Sequence, residues 1–133
     1  MLNRIELGDL LVIAEFHAGV PAEQLARIGR VVQLGQAALA APFAGFGDFE
    51  AHPAFEEKAA VYLFRLATYH PLPDGNKRTA YDVMREFVDR NSGSFAHQDG
   101  DLMKTAEIIE RIAAGEIDEP AVKIWMQQHL SHS

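Results

Sequence analysis

The 133-residue chain carries 12 Lys and Arg against 19 Asp and Glu, a formal net charge of −7, and contains no cysteine. Disulfides, thiolate zinc sites and thiol catalysis are thereby excluded, and the acidic balance argues against general nucleic-acid binding, which needs a basic face. Hydrophobic residues at 48% and charged residues at 23% are ordinary for a folded soluble protein, so one domain over 1–133 around a single core is expected. No stretch approaches the ~20 apolar residues of a membrane span. The start Met1-Leu2-Asn3-Arg4-Ile5-Glu6 lacks the basic-then-apolar pattern of a secretion signal, and the expected location is cytoplasmic.

From Glu6, apolar residues at Leu10, Leu11, Ile13, Ala14 and Phe16 predict a first helix closed by Gly19 and Pro21. His17 near its end reads most simply as a residue satisfying the helix dipole. Pro21-Ala22-Glu23 opens a short helix with Leu25 and Ile28 on its apolar face, and the run from Gly29 through Leu39 predicts a third helix ending before Pro42. The stretch Pro42 to Glu50 alternates phenylalanines with small or acidic residues and two glycines, which predicts a loop or a short extended piece.

After Pro53, the apolar positions Phe55, Ala59, Leu63, Leu66 and Ala67 predict a helix continuing to Tyr69, with His70 at its C-terminal end. Pro71 and Pro73 stiffen the turn that follows. Helix resumes at Asn76, where Ala80, Val83, Met84, Phe87 and Val88 share one face, and it stops at Ser92-Gly93. A polar loop from Ser94 to Gly100 leads to a helix after Asp101. A last helix is capped by Asp118 and carries the stripe Val122, Trp125, Met126 and Leu130, which reads as core. The tail Ser131-His132-Ser133 is expected to fray. The predicted fold class is all-α, with six or seven helices.

The chemistry concentrates in the turn. Between positions 70 and 78, His70, Asp74, Asn76, Lys77 and Arg78 meet a helix start. A helix start offers unpaired N–H groups and the positive end of the macrodipole, a seat for phosphate. Gly75 removes a Cβ that would keep an anion from that backbone. His70 can act as general base, and Asp74 is a hard oxygen donor suited to Mg²⁺. The Asn76 amide can donate to an oxyanion, Arg78 can clamp two phosphate oxygens, and Lys77 adds a point charge. Taken singly, each has a plainer use, the His as a packing residue, the Asp as an N-cap and the cations as solvated surface. Together they are the parts of phosphoryl or nucleotidyl transfer. No second His or carboxylate stands at ligand spacing from His70, which disfavours a metal hydrolase.

The segment resembles the signature of the Fic/Doc family, His-x-Phe-x-Asp/Glu-Gly/Ala-Asn-Gly/Lys-Arg, at His70, Asp74, Gly75, Asn76, Lys77 and Arg78. Thr79-Ala80 extends the resemblance to the Doc branch, the toxins of toxin–antitoxin modules, while Leu72 stands where the family usually has Phe. The resemblance implies a Fic-like helical bundle with a target-holding flap near residues 43–50. It implies ATP and Mg²⁺ as cofactors, with His70, Asn76 and Arg78 catalytic, Gly75 to Arg78 binding the nucleotide and Asp74 on the metal. Members that transfer AMP usually have Gly at the position of Lys77. Lys there implies ATP turned round, presenting its γ-phosphate, so a protein kinase-like transferase ranks above an AMP-transferase and both above a silent binding module. By the same resemblance the target is translation elongation factor Tu. No Glu in the chain is followed by Gly or Asn, so the built-in inhibitory segment of many relatives is missing and a separately encoded antitoxin is expected.

Overall fold

A computed structural model describes residues 1–132. In chain order they form α1 (Leu7–Ala18), α2 (Ala22–Leu25), α3 (Gly29–Ala40), β1 (Gly45–Phe46), β2 (Phe49–Glu50), α4 (Phe55–Tyr69), α5 (Asn76–Arg90), β3 (Gly93–Phe95), α6 (Leu102–Ala113), α7 (Glu119–His129) and β4 (Leu130–His132). The result is a helical bundle with two short antiparallel strand pairs, β1 with β2 and β3 with β4.

The bundle is built round α4. Ala59, Ala60, Val61, Tyr62, Leu63, Leu66 and Ala67 are all buried, and a helix apolar on nearly every side has to be surrounded. Helices α3, α5, α6 and α7 pack against it. Its partner α5 is one-sided, burying Ala80, Val83, Met84, Phe87 and Val88. Tyr62 and Phe87 meet with ring centroids 4.8 Å apart. Polar ties fix the outer helices. Arg65 on α4 donates from Nε to Glu119 of α7 at 2.7 Å and from Nη1 to the Tyr69 hydroxyl at 2.8 Å. Arg90 on α5 holds Asp9 of α1 through two bonds of 3.0 and 3.1 Å, and these bonds hold the Asp9 carboxyl below its ordinary range.

Three local expectations are corrected. Phe16 faces outward and is exposed, because the buried face of α1 is carried by Leu10 and Ala14. Residues 93–95 of the expected turn and loop form β3, whose partner is the C-terminal segment expected to fray: Ser94 pairs with Ser131 and Gly93 with His132. The His132 ring stacks on Phe55 at 4.0 Å, which anchors that segment; Ser133 lies outside the described residues. Ser92, and not a glycine, takes the left-handed conformation after α5 (φ 62°). The extended piece expected near 43–50 forms as a hairpin, β1 with β2, and its base is packed at the start of α4: Lys58 bonds Glu50 at 3.0 Å, and Phe43 packs on Tyr62 and Phe87. The length of α4, about 21 Å at 1.5 Å per residue, separates that base from His70. Phe46 and Phe49 at its tip are 81% and 59% exposed.

Near the hairpin, His52 is buried and its Nδ1 accepts from Lys123 Nζ at 2.7 Å. Burial first, and then the facing Lys123 charge, push its pKa below the ordinary value. The unfolded chain therefore takes up a proton near pH ~6.5 that the folded chain resists. Stability from this site is present above that pH and is lost as pH falls. In urea titrations between pH 8 and 5, the native chain is expected to lose stability relative to His52→Gln; an unchanged difference would remove His52 from the account.

Candidate active site

The α4–α5 loop is seated before it is functional. Leu72 is buried with Ala14, Leu25 and Val31 in a small apolar cluster made by α1, α2 and α3. Asn76, the first residue of α5, closes the loop from the other side. Its Oδ1 accepts from the Leu72 N–H and its Nδ2 donates to the Leu72 carbonyl, both at 2.9 Å. The amide expected to serve an oxyanion thus has a loop-closing task, with one N–H left over. Leu72→Ala should cost about 2–5 kcal/mol, read as a lowered denaturation midpoint.

His70 ends α4 in a left-handed conformation, φ 50° and ψ 56°, uncommon for a residue with a Cβ. Arg30 from α3 holds it there, donating Nε to the His70 carbonyl at 3.2 Å and Nη2 to the Tyr69 carbonyl at 3.3 Å. These bonds satisfy carbonyls that the end of α4 leaves unpaired and leave the imidazole exposed.

Gly75 is left-handed as well (φ 76°). A Cβ built on it would lie 2.8 Å from the carbonyl oxygen of His17 and 2.9 Å from that residue's carbonyl carbon and Cβ. The missing side chain therefore makes room for the end of α1, a different use from the anion clearance expected. No side chain caps the first turn of α5. Its N–H groups stay available beside Lys77 and Arg78, which with His70, Asp74 and His17 line one open cavity of about 610 Å³. The base candidate and both cations therefore face a common space.

The charges around the cavity are unevenly committed. Lys77 lies 3.5 Å from Glu110 of α6, with both side chains more than half exposed, a pairing worth little in water. Arg78 enters none of the ion pairs among the described residues. Asp74 is exposed, and only its Oδ1 is engaged, by the Gly75 N–H at 2.8 Å. Among the described residues no group of three His, Asp or Glu could cage a metal. A lone carboxylate suits Mg²⁺, which takes its remaining ligands from phosphate and water.

Sequence reasoning missed His17. Its side chain is only 13% exposed, and Nε2 lies 2.5 Å from Asp82 Oδ2 on α5, so it ties α1 to the helix that carries the cations. Its spacing was the available signal: Leu10, Ala14 and His17 form one stripe on α1, and a polar residue completing a buried stripe invites a partner.

A sequence profile of the Fic/DOC family matches residues 9–88. The chain belongs to the Fic/DOC family. The match ends within α5, so it takes in the whole loop and all six residues of the Fic/DOC-like signature. A curated relative, Toxin Doc from Mycolicibacterium smegmatis, is 35% identical over 82 residues, which is 62% of this chain and 62% of that protein. This similarity lies with the Doc branch. No helix among the described residues is long and apolar enough to cross a membrane.

Proposed function

We propose that this Fic/DOC chain is a Doc-like toxin, a phosphotransferase that moves the γ-phosphate of ATP to a hydroxyl of a protein. The observation that carries the reading is the shared cavity, whose lining brings an uncapped helix start and two cations together with an exposed histidine. His70 accepts the proton of a Ser or Thr hydroxyl as that oxygen bonds to the γ-phosphorus. The bond from that phosphorus to the β–γ bridging oxygen breaks, and ADP leaves. Charge building on the transferred group meets Arg78, Lys77 and the first N–H groups of α5, the donors from which most of the rate gain is expected. Asp74 would hold Mg²⁺, which supplies neutralisation of phosphate charge.

The family resemblance and the Toxin Doc relative support a place in a toxin–antitoxin module. Translation elongation factor Tu is proposed as the target, with arrested translation as the outcome. A separately encoded antitoxin is the proposed partner and the cytoplasm the place of action. The test is the intact mass of purified elongation factor Tu after incubation with the chain, ATP and Mg²⁺. A gain of about 80 Da is expected, the mass of one added phosphoryl group. A gain of about 329 Da would mean AMP transfer, and an unchanged mass would reject this target.

A further inference from the structure

A catalytic base is ordinarily oriented by a third group bonded to it, which fixes where its reacting atom points. The His70 imidazole is exposed and has no such partner among the described residues. Its place is therefore set by the main chain from which it projects. That main chain is left-handed at position 70, and a helix ending this way usually draws an N–H from the residue that follows to satisfy a carbonyl of its last turn. Pro71 stands there and has no N–H to give.

The guanidinium of Arg30 takes the place of the missing donor. Arg30 is the second residue of α3, and it reaches the Tyr69 and His70 carbonyls across 39 and 40 positions of chain. The fork is rigid and planar, so two N–H groups on two successive carbonyls fix their orientation as a single ammonium would not. On the other side of the base, the buried Leu72 and its two bonds to Asn76 pin the loop to the start of α5. His70 stands between these two fastenings. Arg30 itself is not among the residues lining the active-site cavity, and its contact with the site runs through backbone.

We propose that Arg30 is a positioning residue for the base, acting through the main chain of Tyr69 and His70 to hold the imidazole over the phosphate-binding start of α5. The inference rests on the reading of His70 as the proton acceptor of a phosphotransferase. Displacing a reacting group by about 1 Å can cost on the order of 10²-fold in rate. The consequence of losing Arg30 is a slower reaction at unchanged nucleotide affinity.

Arg30→Met keeps the aliphatic stem and removes the donors. With γ-labelled ATP, Mg²⁺ and purified elongation factor Tu, its kcat should fall about 10- to 100-fold, while the dissociation constant for ATP, read by calorimetric titration, stays within about twofold of native. Arg30→Lys restores one donor and should fall between R30M and the native chain. In a His70→Asn background, R30M should cost nothing further, because the group through which it acts is gone; a general structural role would cost the same in both backgrounds. Should R30M fail to fold, R30K carries the test, with a several-fold lower kcat at native ATP affinity. Native kcat in the folded variant, a loss of ATP affinity equal to the loss of rate, or an undiminished effect in the His70→Asn background overturns the proposal. No transfer by the native chain would instead reject the phosphotransferase reading, and this inference with it.

Discussion

Substituting His70→Asn is expected to lower the transfer rate by about 10²- to 10⁴-fold while leaving the melting temperature within a few degrees of the native chain. Asn is chosen because position 70 is left-handed, a conformation that Asn tolerates better than most residues with a Cβ. The Arg30 bonds run to the backbone carbonyls of Tyr69 and His70, so they survive the change. The imidazole is exposed and makes no hydrogen bond among the described residues, and little stability depends on it. Nucleotide affinity should hold, because the cations and the α5 N-terminus are untouched. Unaltered transfer by H70N would remove His70 as the base, and lost nucleotide binding would mean that it has another role.

Gly75→Ala is expected to destabilise the fold strongly for a change of one methyl group. Two costs act together: the left-handed backbone with a Cβ, about 1–2 kcal/mol, and the collision with the end of α1, about 1–3 kcal/mol for overpacking. The colliding atoms include the His17 carbonyl oxygen at 2.8 Å, which is backbone and cannot swing aside like a side-chain end. The sum, about 2–5 kcal/mol, is a large share of the ~5–15 kcal/mol that holds a domain of this kind together. Gly8→Ala makes the control with the opposite sign. It lies inside α1, nothing stands within 4 Å of the added Cβ, and alanine there should stabilise by about 0.5–1 kcal/mol. Chemical denaturation of the two variants beside the native chain reads both. Equal and small effects would contradict the packing of the loop against α1. The movement that relieves the clash also displaces Asn76, so G75A that does fold should transfer slowly.

The loop and the two helices around it were legible because the interactions that define them are local. Apolar spacing marks α4 and α5, the prolines stiffen the turn, and the signature residues lie within nine positions of one another. The N-terminal boundaries followed for the same reason, down to the turn at Gly19 and the helix start at Gly29. What escaped depends on partners far away in the chain. His17 meets Asp82 across 65 positions, and neither residue type announces the other. The missing Cβ of Gly75 could be assigned to an anion because the sequence does not reveal that α1 ends against it. Strand β4 has only three residues, too few for alternation to register, and it exists because β3 offers a partner. The hairpin at 45–50 was recognisable as extended, but its distance from His70 is set by α4, along which the chain must run before reaching the loop.

The measurement that bears most directly on the shared cavity and its direction of transfer is isotopic labelling of an acceptor protein with ATP labelled in turn at the γ- and α-phosphate. Label should pass from γ-labelled ATP alone, and H70N should nearly abolish it. Label arriving from the α-position would reverse the nucleotide in the cleft. Equal γ-labelling by H70N would take His70 out of the reaction.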